Sequence, residues 1–510
     1  MSTHFRTAVL ALALVTATAP ALAQGERAAR PQQQHEQRQR PPEPDQQRSA
    51  GNGLLRLLPA DSVTEHAIET AQGKLAYTAT AGTIPLFGQS GDQIASIVYT
   101  SYVAKSAATP RPLTFVFNGG PGAGAAFLHL GLVGPRLLDL GADARHSSQA
   151  SLVDNPDTWL RFTDLVMLDP IGTGWSRTAK ADDAKDFWSV NRDADSIAKA
   201  ISVYVTRHNR ALGPIYLFGE SYGGFRAAKV ARVLQRDYGL MPAGIVMLSP
   251  LLEGWLTFGD EQSALRSALE LPSLAAAHLA AENRLTPEAL AKAEKFALTD
   301  YLTALAGPPL SGEAAHALYA RVADITGLPI ETLAKARGFV TDNYVKTLRA
   351  GKIVSRYDAD YAVDDPFPED RSPHSPDPVL DGVARAYGGA FADYARNELG
   401  FHTEMTYKLL AGDVTGHWDW GHGRAQVGVD SDLRVLLSFD PHFRVLIANG
   451  MTDLVTPFAQ SRYVLDHLPP TSPPGRAQLK LYRGGHMLYL DPQARKAFSQ
   501  DAGAFYKAAP

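Results

Sequence analysis

Six short apolar runs, each breaking off at a glycine or a polar turn, recur along the chain: "LTFVFNGG" from residue 113, "DLVMLDPIGTG" from 164, "PIYLFGESYGG" from 214, "AGIVMLSPLL" from 243, "FRVLIANGMTD" from 443 and "LKLYRGGHM" from 479. A strand that is apolar at every position has both faces covered, the condition of the middle of a parallel sheet wrapped by helices. Helical periodicity fills intervals between the runs, as in "DADSIAKAISVYVTRH" and "FRAAKVARVLQRDYG". The pattern predicts an α/β chain with its turns gathered at the C-terminal ends of the strands. Two earlier runs, "KLAYTATAG" and "IASIVYTSYVAK", carry the β-branched and aromatic alternation of antiparallel edge strands.

Between about Glu253 and Asp440 the strand signal fades and helix signals replace it. Thr286-Pro287-Glu288 combines an N-cap residue with proline at the first helical position, and Leu285 with Leu290 forms a possible staple across that start. The proline-punctuated stretch "DDPFPEDRSPHSPDP" (364–378) reads as a solvated loop rather than a metal site. The expected organisation is therefore a sheet-forming core in two parts, 54–252 and 441–510, with a mostly helical insertion or cap at 253–440.

The N-terminus has a different character. "MSTHFRTAVLALALVTATAPALAQG" has a short region with Arg6, an apolar run from Ala8 to about Ala19, and Ala21-Leu22-Ala23 as a cleavage signal. It reads as a signal peptide over 1–23, cut after Ala23, with export to the periplasm or outside the cell; the apolar run falls short of the roughly 20 residues a spanning helix needs. Residues 24–53, rich in Gln, Arg and Pro, have too few large apolar side chains to fold and are expected to be a disordered linker. No later segment is apolar enough to span, so no membrane span is expected after cleavage.

Composition removes several chemistries. The 510 residues contain no cysteine, which excludes a thiol nucleophile, zinc-thiolate and iron-sulfur sites, and disulfides in an exported protein. A formal net charge of −4 gives no basic field for nucleic acid. Nothing in the sequence fixes the oligomeric state.

Gly219-Glu220-Ser221-Tyr222-Gly223 matches G-x-S-x-G, with a strand before it and a helix after it. A serine on such a sharp strand-to-helix turn is strained and exposed above the sheet, and the flanking glycines avoid collision with neighbouring strand and helix. A serine hydroxyl needs a base, and the base needs an orienting carboxylate. On this architecture they follow in the order acid, then histidine, each at a strand end. Asp453 and His486 stand there, with Asp440 and Asp466 in the same region. Gly484-Gly485 would free the loop that returns His486 over the sheet. The loop Asn118-Gly119-Gly120-Pro121-Gly122 can approach a reacting carbonyl closely, and the amides of Gly120 and Tyr222 are the candidate oxyanion donors. Ser196-Ile197-Ala198-Lys199 also fits S-x-x-K, but it lies in a helix-periodic stretch with no S-D-N or K-T-G in the chain, and reads as helix surface.

Taken together, "NGGPGAG" (118–124), "DNPDTWLRFTDLVMLDPIGTGWS" (154–176), "GESYGG" (219–224), "NGMTDLVTP" (449–457) and "GGHM" (484–487) resemble, in order, the serine carboxypeptidase family of α/β-hydrolases. The resemblance implies an α/β-hydrolase fold and peptide or protein substrates cut at the C-terminus through an acyl-enzyme. It implies Ser221 as nucleophile, His486 as base, Asp453 as its orienter, and Gly120 and Tyr222 as oxyanion hole, with no metal or cofactor. It further implies that Glu220, Asn118 and the Gly119 amide recognise the substrate's C-terminal carboxylate. Two carboxyls lie side by side only when they share a proton, so such a site favours acid.

The chain departs from the family pattern at Leu132, where a second glutamate is usual, two residues before Gly134-Pro135; the family's loop cysteine is Ala123. Leu132 keeps open an esterase, an acyltransferase or a peptidase without strict C-terminal specificity. The remaining alternative is a catalytically silent binding module on the same fold. Side-chain pockets are expected to come partly from the insertion.

Overall fold

The computed structural model describes residues 53–105, 111–141, 147–370, 376–471 and 473–507. The expected signal peptide and the linker up to residue 52 lie outside the described residues.

Among the described residues the central sheet is ten-stranded. Its strands are β1 (Ser62–Thr70), β2 (Gly73–Phe87), β3 (Gln93–Ala104), β4 (Leu113–Phe117), β5 (Asp164–Leu168), β6 (Ile215–Glu220), β7 (Gly244–Leu248), β8 (Arg444–Gly450) and β9 (Ala477–Tyr482). They lie in the order β1-β2-β3-β5-β4-β6-β7-β8-β9, and the short strand Arg177–Thr178 pairs with β3. From β5 to β9 every pairing is parallel; β1, β2 and β3 add an antiparallel wing.

The six apolar runs are the six parallel strands, and the side chains of the central ones show why these are apolar. In β6, Leu217 joins the core on one face while Tyr216 and Phe218 join the core on the other. In β7, Ile245 and Met247 alternate with Val246 and Leu248 in the same way. Helices α1 (Val190–Arg207) and α2 (Tyr222–Asp237) cover the first face, through Ile197, Ile201, Phe225 and Val230. The C-terminal helix Pro492–Lys507 covers the second, through Phe498, Ala502 and Phe505. Burying a large apolar side chain is worth about 1.5–3 kcal/mol, so a polar residue at one of these core positions of β6 or β7 would be costly.

Expectations change at the edge strands and at Ser196. The runs expected at the edge form β2 and β3, which lie inside the sheet, because β1 pairs outside β2. β1 buries only Ile68, and its polar alternation gives a weak apolar signal. Ser196 is not surface but buried in α1, its hydroxyl bonded to the Asp193 carbonyl at 3.0 Å, while Lys199 reaches the Phe87 carbonyl from the exposed side.

Between β7 and β8 the chain is mostly helical. Helix α3 (Ala264–Ala281) is capped by the Ser263 hydroxyl, and α4 (Pro287–Phe296) by the Thr286 hydroxyl, which accepts from the Ala289 amide at 3.2 Å. This segment has its own apolar cluster, including Leu271, Leu274, Tyr301 and Val322. A two-stranded hairpin, Lys352–Val354 with Ala362–Asp364, returns it toward the sheet. Just beyond, Asp377 does not behave as a solvated loop residue: its carboxylate accepts from the Ser355 hydroxyl at 2.7 Å and the Arg356 amide at 2.8 Å. No helix among the described residues is long and apolar enough to cross a membrane.

Candidate active site

Ser221 sits between β6 and α2 with φ 61° and ψ −127°, a conformation rare outside glycine and costing roughly 1–3 kcal/mol. Neighbouring hydrogen bonds hold it there. Its amide donates to the Leu248 carbonyl at 2.9 Å, and its carbonyl accepts from Gly224 and Leu251 at 2.9 and 3.2 Å. The glycine before it has no room for a side chain: a Cβ on Gly219 would lie 1.9 Å from the Gly223 carbonyl oxygen. A Cβ on Gly223 would lie 2.7 Å from the Phe117 carbonyl oxygen, and one on Gly224 2.7 Å from the Pro250 Cβ.

Asp453 follows β8, fully buried, in a turn of its own making. One carboxylate oxygen accepts from the Val455 and Thr456 amides at 2.8 and 3.0 Å; the other accepts from the Thr456 hydroxyl and from His486 Nδ1, both at 2.8 Å. Of the three carboxylates in the region, Asp453 is the one beside the imidazole. The Asp440 carboxylate instead accepts the His442 amide.

His486 follows β9 and is 2 % exposed. Its amide donates to the Tyr357 carbonyl at 2.6 Å, and its ring meets the Tyr357 ring edge-on, with centroids 5.2 Å apart. Gly485 is needed for that approach, because a Cβ there would come within 2.0 Å of the same carbonyl. Burial disfavours the imidazolium, but the adjoining Asp453 carboxylate, aided by Glu220 and Asp377, leaves the pKa of His486 above the ordinary value. With Nδ1 on Asp453, Nε2 is the nitrogen left to exchange a proton with a hydroxyl.

Ser221 and His486 line one cavity of about 190 Å³, together with Asn118, Gly119, Gly120, Glu220 and Tyr222. All eight residues expected at the site thus fall in or directly behind this cavity. The glycine loop abuts the start of α2: a Cβ on Gly119 would lie 2.6 Å from the Tyr222 amide nitrogen. Gly120 has φ +100°, which favours glycine.

Glu220 ends β6, 4 % exposed. The Asn118 side-chain amide donates to it at 2.7 Å, and Asn118 in turn accepts the Leu128 amide at 3.1 Å. Tyr489, three residues after His486, donates to the same carboxyl at 3.3 and 3.1 Å. Burial pushes the Glu220 carboxyl up to about 7, although His486, Tyr489 and Asn118 each favour its ionised form. Sequence reasoning missed Tyr489. Its one signal is an aromatic residue in "HMLYLDP", close behind the candidate base. Leu132 is fully buried in an apolar cluster and offers no carboxyl to Glu220.

Much of the remaining cavity wall comes from the segment between β7 and β8, and part from residues 454–457 just after β8. The β7–β8 segment carries an ionic cluster in which Arg266 donates to Glu270 at 2.8 Å and Asp342 pairs with both Arg266 and Arg356. Burial and the nearby Asp342 push Glu270 up to about 8. These four residues are scattered over 90 positions without a motif, so nothing in the sequence marks them as neighbours.

Residues 87–238 match the family model for serine carboxypeptidase, and residues 163–325 match that for serine aminopeptidase S33. Serine carboxypeptidase-like 44 of Arabidopsis thaliana is 29% identical over 199 residues, covering 36% of this chain and 38% of that protein. Retinoid-inducible serine carboxypeptidase of Rattus norvegicus is 32% identical over 128 residues, covering 24% of this chain and 25% of the relative. The chain thus spans well under half the length of the curated relatives it matches. The crystal structure of Kex1(delta)p, a prohormone-processing carboxypeptidase from Saccharomyces cerevisiae, superposes with a TM-score of 0.54 at 15% identity, over 84% of this chain and 91% of that one. The likeness is one of fold, an α/β-hydrolase. Over the matched segment 87–238 the chain is thus similar to the serine carboxypeptidases, and its fold is that of an α/β-hydrolase.

Proposed function

We propose that this protein is a serine-type carboxypeptidase, exported after cleavage behind Ala23, that removes C-terminal residues from peptides. The observation that carries the reading is the Asp453–His486 bond at 2.8 Å, opening into the same cavity as the strained Ser221. In this reading His486 takes the proton of Ser221 as its oxygen attacks the scissile carbonyl, and the Gly120 and Tyr222 amides receive the oxyanion. His486 then gives the proton to the leaving amine, and water repeats the cycle on the acyl-enzyme. Asp453 keeps the imidazole in the required tautomer.

Glu220, with Asn118 and the Gly119 amide, recognises the substrate's terminal carboxylate in this proposal. A carboxyl raised to about 7 is largely protonated below neutrality, so it can donate to a substrate carboxylate without like-charge repulsion. The test compares peptides with free and amidated C-termini and labels the protein with a serine-reactive phosphonate. Preference for the free acid, with the label on Ser221, supports the reading; label on another residue, or turnover retained in S221A, defeats it.

The buried Leu132 favours a second reading, an esterase, acyltransferase or peptidase without end specificity on the same triad. Equal turnover of free and amidated peptides between pH 4 and 8 would select it.

A further inference from the structure

We infer that a buried ion pair behind the active site, Arg226 with Asp193, is a positioning device that sets which way the Asn118–Gly119 peptide faces. The inference rests on the carboxypeptidase reading. Arg226 lies on the first turns of α2, 1 % exposed, and Asp193 on α1 is 4 % exposed. The guanidinium donates through Nε to Asp193 at 2.6 Å and through Nη1 to the backbone carbonyl of Asn118. It is held between the rings of Tyr222 and Phe117, at 5.1 and 5.9 Å.

The carbonyl and the N–H of a trans peptide point in opposite directions. With the Asn118 carbonyl drawn into the core by Arg226, the Gly119 N–H is turned away from the core, toward the cavity that Gly119 lines. The opposite peptide orientation would put a carbonyl oxygen where a substrate carboxylate has to bind. Gly119 has no side chain to resist that rotation, so the restraint has to come from outside the loop.

Stability alone is a weak reason for such a pair. Replacing a buried ion pair by apolar residues is often neutral or stabilising, and here Nη2 of Arg226 has no partner among the described residues. Geometry is the stronger reason: a guanidinium fork can hold a carboxylate and a carbonyl at once in fixed directions. Arg226 touches no substrate and acts through the Gly119 amide.

The experiment compares wild type with R226K, whose single ammonium cannot span both acceptors as the fork does, and with R226M/D193N, which leaves no unpaired charge. Each is given matched free-acid and amidated peptides and a small ester lacking a carboxylate. The preference for the free acid is expected to fall by about tenfold in R226M/D193N and by less in R226K, the size of one hydrogen bond to a charged group. The loss should appear in KM for the free acid, with ester turnover and phosphonate labelling of Ser221 retained. Wild-type preference in both variants overturns the inference, as does a parallel fall on all three substrates. Should R226M/D193N not fold, R226K decides on the same ratios. Failure of the carboxypeptidase reading is distinguishable, since wild type itself would then not separate acid from amide.

Discussion

Tyr489 donates its hydroxyl to Glu220 at 3.3 and 3.1 Å, from a position three residues beyond His486. The segment that carries the candidate base therefore also restrains the candidate carboxylate-recognition group. Leu132 leaves the usual carboxyl pair half missing, and Tyr489 supplies a hydrogen bond to Glu220 from a different part of the chain.

Y489F removes a contact that favours the ionised form of Glu220. The pH at which free-acid preference disappears should rise by about one unit, the equivalent of one hydrogen bond to a charged group. The ratio of kcat/KM for free and amidated peptides, followed from pH 5 to 9, checks this.

E220Q should flatten that ratio across the same range, because no group is left to titrate. Stability gives an independent check. The folded pKa of Glu220, about 7, lies above its ordinary value of 4.5, so its contribution is complete below about 4.5 and is lost as pH rises through about 7. The Tm of E220Q relative to wild type should therefore be higher at pH 8 than at pH 4.5.

D453N should lower kcat by roughly 10⁴-fold, by leaving His486 in the wrong tautomer. Because the Asp453 carboxylate raises the His486 pKa, the acidic limb of the residual activity should also move to lower pH. A pH–kcat profile reads both effects.

G219A should fail by folding, before any question of chemistry arises. Its new Cβ would meet the Gly223 carbonyl oxygen at 1.9 Å, and backbone on both sides of the turn is fixed. A loss of stability of about 2 kcal/mol or more in urea denaturation is expected, with loss of phosphonate labelling.

The parallel strands and the sharp turn at Ser221 were legible because each depends on local rules: a strand buried on both faces is continuously apolar, and a turn without room takes glycine. The order of Ser221, Asp453 and His486 was legible because strand ends in this architecture converge. Tyr489, Arg226 and the Arg266–Glu270–Asp342–Arg356 cluster were not. Each owes its place to tertiary packing between distant segments, and an arginine on a helix looks the same in sequence whether it faces water or lies under a loop. β1 was missed for a related reason, since it packs only Ile68 and is defined by backbone pairing to β2.

The bond from the His486 amide to the Tyr357 carbonyl bears on how this protein could be re-engineered. The segment between β7 and β8 supplies much of the cavity wall, which makes it an obvious cassette to exchange between relatives. Tyr357 belongs to that cassette, yet it anchors the backbone of the candidate base. A graft that alters residues 355–358 would detach His486 along with the cavity wall, so a workable boundary has to leave that short stretch with the core.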